Sequence, residues 1–189
     1  DENQMYMVKV TDLMKQISKK NTAKKAKTVS VGGKLSDKGI QIFECCGMSH
    51  DANILYMDSI EAMLHKTLLF IFANGKAKRV DGAEFDVTRK VSQAAKATEA
   101  IAHISAVEEG DQIVVKSNNG YYVRTDVDEI SIQGKSAAGL GLIRLAKDDY
   151  VDYAATGPVG NNFCVGEDAY PFTRIKHTNR NVSGTKLRL

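Results

Sequence analysis

The chain has 189 residues, 43% of them hydrophobic and 26% charged, with a formal net charge of +3. That is enough apolar material for a packed core in one domain of ordinary size or two small ones. Its longest apolar run, Leu68–Ala73, is far too short to cross a bilayer, and no charged-then-apolar leader opens it.

Three cysteines, Cys45, Cys46 and Cys164, form a poor disulfide framework and are expected in a reducing compartment. Four scattered histidines and the lack of a CxxC pair argue against structural zinc. A chain that opens on Asp1 is expected to be a piece of something longer.

In chain order, a strand is expected at Met5–Val10. Lys15 to Lys38 then holds eight lysines against one acid, Asp37. Such a run suits an anionic partner and equally a solvated loop. Further strands are expected at Ile40–Phe43 and Ile54–Met57. Asp58–His65 reads as one short helix, with Asp58 as cap and Glu61 reaching back.

Phe70-Ile71-Phe72 leads into Asn74-Gly75, and Ile113-Val114-Val115 leads into Asn119-Gly120. Asn-Gly between apolar strands predicts hairpins, with positive φ at both turn residues in a type I′ turn. The Ala-rich stretch Ser92–Ala102 is read as loop followed by strand, the strand being Ile101–Val107. Strands are also expected at Tyr121–Thr125, Leu140–Leu145 and Phe172–Ile175. The tail from Pro171 holds Arg174, Lys176, Arg180, Lys186 and Arg188 with no acid.

The two hairpins are copies. Asn74 to Phe85 lies over Asn119 to Ile130 without a gap, so Gly75 and Gly120 are 45 residues apart. Met5 to Leu13 matches the second half of the unit, and Asp168 to Ile175 matches it more faintly. Val10, Gly82, Val127 and Ile175 then correspond. A period near 45 residues with several strands per unit predicts an all-β, propeller-like array of four-stranded blades, about three to four in number.

Val123 to Ile132, followed by Gln133 to Leu145 and then Asp148-Asp149-Tyr150-Val151, resembles a late blade in the C-terminal domain of the A subunits of bacterial type IIA topoisomerases, DNA gyrase and topoisomerase IV. Leu69 to Val80 and Met5 to Leu13 resemble the same family's strand, turn and basic strand. The resemblance implies a β-pinwheel, a propeller-like disc whose blades exchange strands and whose basic rim binds and bends duplex DNA.

On that frame residues 1–189 are one DNA-binding domain. A partial first blade spans 1–68 with the insertion 15–38, blades lie near 69–112 and 113–160, and an incomplete last blade spans 161–189. Implied partners are duplex DNA, the catalytic core of the same polypeptide and, through that core, the ATPase B subunit. The implied location is the bacterial cytoplasm, at the nucleoid. The DNA-cleaving tyrosine and the ATPase belong to other domains, so no catalysis and no cofactor are expected here. The gyrase loop Gln-Arg-Arg-Gly-Gly-Lys-Gly is reduced to Gln133-Gly134-Lys135-Ser136-Ala137-Ala138-Gly139, which favours a topoisomerase IV-like or divergent role over full wrapping.

Lys and Arg on a curved rim gain affinity by releasing counterions from phosphates. The candidate contacts are Lys76, Lys78, Arg79, Lys116, Arg124, Lys135, Arg144, Arg174 and Lys176, with Lys19, Lys20, Lys24 and Lys25 as an added arm. Arg79 and Arg124 coincide in the repeat and stand first. Each is equally readable as an exposed strand cation paired with Asp81 or Asp126. Tyr121 and Tyr122 are expected to face opposite ways along a strand. Gly134-Lys135-Ser136 lacks the leading glycine of a P-loop, and the pairs Asp148-Asp149 and Glu108-Glu109 read as turn acids. A propeller-like protein-binding scaffold is the rival reading, and it calls for a large exposed apolar or mixed patch.

Overall fold

A computed structural model describes residues 4–6, 49, 51, 53–87, 91–93 and 100–187. The expected strand Ile40–Phe43 and the lysines Lys19, Lys20, Lys24 and Lys25 lie outside the described residues. The chain divides into two units. One comprises Asp1–Gln4, Leu55–Val87 and Gln93–Leu189, and the other Met5–Ile54 and Thr88–Ser92.

In chain order the elements are β1 (Gln4–Tyr6), a single helical turn α1 (Ile60–Met63), β2 (Thr67–Phe72), β3 (Lys76–Asp81), β4 (Val91–Gln93), β5 (Ile101–Val107), β6 (Gln112–Ser117), β7 (Tyr121–Asp126), β8 (Leu140–Gly141), β9 (Val151–Gly157), β10 (Asn162–Val165), β11 (Asp168–Pro171) and β12 (Thr185–Lys186). The short strand β1 pairs with β4.

The hairpins β2–β3 and β6–β7 form where β-branched and aromatic runs flank the Asn-Gly pairs. Only the glycine of each pair is left-handed, Gly75 at φ 82° and Gly120 at φ 80°. The turns are therefore three-residue loops closed by a left-handed glycine, not the expected type I′ turns. The amides of Gly75 and Gly120 donate to the carbonyls of Phe72 and Ser117, at 3.0 and 2.8 Å.

Each hairpin is the middle of a four-stranded antiparallel sheet, with strand orders β5-β2-β3-β8 and β9-β6-β7-β12. The blades exchange strands. After the second hairpin the chain returns to the first sheet as β8, and only then adds β9 to the second. Ala77 opposes Leu140, and 45 residues on Tyr122 opposes Thr185. The inner strands β5 and β9 meet, where Thr156 Oγ1 donates to Ser105 Oγ at 2.9 Å. The strands β8 and β12 form the edge at the other end of each sheet. A third hairpin, β10–β11, follows in the same sense.

β2 is buried on both faces, Leu68 through Phe72 being at most 1% exposed. Burial on both faces goes with a continuous apolar run that shows no alternation. Leu69, Ile71 and Ala77 pack with Ile113, Val115 and Val123 of the next blade. Val114 and Tyr122 pack with Phe163, Phe172 and Ile175 of the third repeat.

After each hairpin a 3-10 turn folds back, at Gly82–Phe85, Val127–Glu129 and Phe172–Arg174. Its first amide donates to the residue preceding the hairpin, Lys66, Asp111 and Asn161 in turn. Gly82, Val127 and Phe172 are therefore equivalent, at two spacings of 45. This corrects the expected frame, which set Ile175 there. Phe172–Ile175 is a turn rather than a strand, and the strand precedes it. Leu140–Leu145 is strand only at Leu140–Gly141, and Ile54–Met57 lies outside any strand. The helical turn α1 is capped by Ser59, whose Oγ accepts from the Ala62 amide at 3.2 Å, and not by Asp58.

Candidate nucleic-acid interface

Two of the expected contacts belong to the interior of the first blade. Lys78 stands where its repeat mate is Val123, and it is fully buried. Its ammonium donates to the carbonyls of Lys135 and, at 3.0 Å, Ala137. It also lies 5.8 and 5.7 Å from the ring centroids of Phe70 and Phe72. Burial pushes its pKa down, opposed by the Glu84 carboxylate. A side chain so placed cannot touch a ligand at the rim, so Lys78 leaves the candidate set.

Arg79 is 14% exposed in its side chain and is neutralised in place. Its Nη1 meets Asp128 Oδ1 at 2.9 Å and its Nε donates to the Ile130 carbonyl. Asp128, not the expected Asp81, is its partner; Asp81 instead accepts from the Ala83 amide at 2.9 Å.

Arg124 holds the equivalent position. The bridges Arg79–Ile132 and Arg124–His177 are both parallel and 45 residues apart. The amides of Gln133 and Thr178 likewise donate to the carbonyls of Arg79 and Arg124, at 2.8 and 2.9 Å. Arg124 is half-buried, yet its Nε and Nη1 have no hydrogen-bond partner among the described residues. The nearby Asp126 is engaged by Gln112 Nε2 at 2.8 Å and by His177 Nε2 at 3.0 Å.

Lys116 pairs with Asp152 at 2.8 Å, and that bond raises its pKa. Lys135 is folded onto the first blade, its ammonium 3.2 Å from the Glu84 carbonyl and over the Phe85 ring. The reduced loop Gln133–Gly139 is thus pinned inward: it supplies two acceptors to Lys78 and a backbone donor to Glu84.

The remaining cations gather at the outer edge. Lys76 opens β3 and pairs with Gly141 in β8. Arg144 follows β8 and donates through Nη2 to the Asn181 carbonyl at 3.1 Å. Arg180 donates back to the Gly141 carbonyl at 3.2 Å. Their segments cross where Ile143 bridges Val182. In the second blade the corresponding strand pair sets Tyr121 opposite Lys186, whose ammonium lies 5.3 Å from the Tyr121 ring. Each blade therefore carries one cation at its outer pair, on β3 in one and on β12 in the other.

Among the described residues none of Lys76, Arg144, Arg180 and Lys186 pairs with a carboxylate. Arg174 and Lys176 are exposed in and beyond the third 3-10 turn. Sequence reasoning does not single out Arg180 and Lys186. Their signal is the acid-free tail, together with the 45-residue frame that lays Arg180 over Lys135.

Other expected features fall into structural roles. Tyr122 is 4% exposed and Tyr121 36%, so the two do face opposite ways. Asp149 Oδ1 accepts from the amides of Asn119 and Tyr150, and Asp111 Oδ2 from that of Glu108, so these acids shape turns. No helix among the described residues is long and apolar enough to cross a membrane.

The model of the family described as DNA gyrase C-terminal domain, beta-propeller, matches residues 66–115 and 111–156, which are the two hairpin units. The A subunit of DNA gyrase from Pseudomonas aeruginosa is 46% identical over 43 residues, covering 23% of this chain and 5% of that protein. The A subunit of DNA topoisomerase 4 from Streptococcus pneumoniae is 29% identical over 104 residues, covering 51% of this chain and 12% of that protein. The chain thus spans only a small part of these relatives. The crystal structure of the C-terminal domain of DNA topoisomerase IV superposes with a TM-score of 0.66 at 19% identity, covering 79% of this chain and 50% of that one, and shows the same fold. The repeated hairpins, the exchanged strands and the matched units together place residues 66–156 of this chain in the DNA gyrase C-terminal domain family.

Proposed function

We propose that this domain binds and bends duplex DNA without sequence preference and without performing chemistry on it. In the whole enzyme it presents the duplex to the cleavage core during ATP-dependent topology change. The observation that supports this most directly is the outer edge, where Lys76, Arg144, Arg180 and Lys186 stand without carboxylate partners among the described residues. Cations spaced along an arc contact phosphates and position a duplex without reading bases. Bending a short site costs on the order of 1–6 kcal/mol, which such contacts must offset. The inward-pinned loop Gln133–Gly139 supports a topoisomerase IV-like role over gyrase-type wrapping, because its one lysine is committed to the first blade.

The test is duplex binding across a salt series, read by anisotropy, with end-to-end energy transfer reporting the bend. The triple variant Lys76→Ala, Arg144→Ala, Lys186→Ala is expected to lower the slope of log K against log salt by about 2–3, since each lost phosphate contact removes about 0.9. Absence of duplex binding by the unmodified domain at low ionic strength would overturn the proposal, and so would an unchanged slope in the variant.

A further inference from the structure

The two repeated arginines invite comparison, because the repeat makes one a control for the other. In the first blade the segment Asp128-Glu129-Ile130-Ser131-Ile132 lies along β3 and carries two acids. In the second blade its equivalent along β7 is Thr173-Arg174-Ile175-Lys176-His177, which carries an arginine, a lysine, a histidine and no acid. The equivalence rests on backbone pairing. Turn amides at Ile130 and Ile175 both donate to the first residue of their turn at 3.0 Å, and the parallel bridges and following amide bonds repeat at the same spacing.

The consequence falls on the arginines. Asp128 stands on Arg79 and cancels its charge. At that place over Arg124 the chain puts Thr173, neutral and exposed. Arg124 keeps two buried guanidinium nitrogens with no acceptor among the described residues. Leaving a desolvated guanidinium N–H unmatched is costly, and a charged group left so calls for a partner from outside the chain. Asp126 beside it feels the Arg124 charge, but its Oδ1 is already held by Gln112 and His177. Arg174, Lys176 and His177 are exposed on the same strip.

We propose that Arg124 and the strip Thr173–His177 form a phosphate subsite, in which a phosphate oxygen takes on Arg124 the position that the Asp128 carboxylate takes on Arg79. The inference rests on the duplex-binding function above and sharpens it. The phosphate belongs to the DNA backbone, and the second blade with its following strip grips the duplex where the first blade's own equivalent is sealed by its own acid.

Thr173 is exposed, so its substitution tests the idea without touching the core. Thr173→Asp restores the first blade's acid and is expected to weaken binding of a 40-base-pair duplex about tenfold. Thr173→Asn, of the same shape and uncharged, is expected to stay within twofold of the unmodified protein. Equal loss in both variants, or in neither, would overturn the subsite.

A second readout follows the Nε–H resonances of Arg79 and Arg124 by NMR. Titration with inorganic phosphate, and separately with duplex, is expected to shift Arg124 and leave Arg79 in place. Movement by phosphate but not by duplex would assign the subsite to small phosphate ligands and overturn its role in gripping DNA. A domain that binds no duplex at all refutes the function proposed above. A domain that binds duplex with Arg124 unmoved refutes only the subsite.

Discussion

Lys78 offers the sharpest separation of core from rim. Replacing it with Met keeps a side chain of similar length between Phe70 and Phe72 while removing the ammonium. The carbonyls of Lys135 and Ala137 lose a charged donor, each such bond contributing about 1.5–3 kcal/mol. The contacts with the two rings add on the order of 1 kcal/mol. Against these stands the cost of holding an ammonium out of water, several kcal/mol. The balance favours Lys, so Lys78→Met is expected to destabilise the domain by about 2 kcal/mol. For a chain of this size that lowers Tm by about 4–8 °C.

The partner experiment is Lys76→Met, two residues away at the outer edge. Its stability is expected to stay within about 0.5 kcal/mol of the parent, while its affinity for duplex falls and the salt slope drops by about 0.9. Calorimetry or urea unfolding gives the first quantity and anisotropy the second. A Lys78→Met variant of unchanged stability that loses more affinity than Lys76→Met would refute the buried role, because that pattern belongs to an exposed phosphate contact.

Two further outcomes follow from the geometry. A Cβ on Gly75 would lie 2.5 Å from the Ile143 carbonyl, whereas one on Gly120 meets nothing within 4 Å. Gly120→Ala should therefore cost only its left-handed backbone, about 1–2 kcal/mol, and Gly75→Ala a further ~1–3 kcal/mol from overpacking, both read by urea unfolding. His103 on β5 is half-buried, its Nε2 has no hydrogen-bond partner among the described residues, and burial lowers its pKa below the ordinary 6.5. The unfolded chain then binds the proton more readily. Stability is expected to fall as pH drops from about 6.5 through the folded-state pKa, and His103→Leu should flatten that part of the unfolding profile; a profile unchanged by the substitution would rule His103 out as its cause.

The hairpins are legible in the sequence because Asn-Gly between β-branched runs has few other meanings, and the frame joining Gly75 to Gly120 holds throughout. Ile101–Val107 is a strand over the expected residues. The third repeat slips by three because the chain between Arg124 and the next turn shares little with Tyr170–Ile175 beyond an apolar spacing. Only the amide bonds of Val127 and Phe172 to the residues before their hairpins fix the alignment. Lys78 and Arg79 mislead for a different reason. In a strand packed on both faces, alternation no longer says which side is wet, and a lysine among Ala77, Arg79 and Val80 looks like rim. Lys135 and Ala137, which bury Lys78, and Asp128, which neutralises Arg79, come more than 45 residues later, on segments that return only through strand exchange.

That exchange also explains why the outer edge suits a polyanion. The inner strands β5 and β9 are seven residues long and lock the blades together, whereas β8 and β12 have two residues each. A long outer strand would offer an unpaired ladder to other chains, and very short edge strands carrying lysine remove that hazard. Cations placed beside such an edge gain most from phosphate because they give up no carboxylate partner to reach it. The first blade turns two of its charges inward, Lys78 on carbonyls and Arg79 on Asp128. The second has Val123 in place of the buried lysine and an arginine whose Nε and Nη1 have no hydrogen-bond partner among the described residues. On the proposed subsite, the first blade commits Lys78 and Arg79 to its own acceptors, while the second leaves Arg124 for a phosphate.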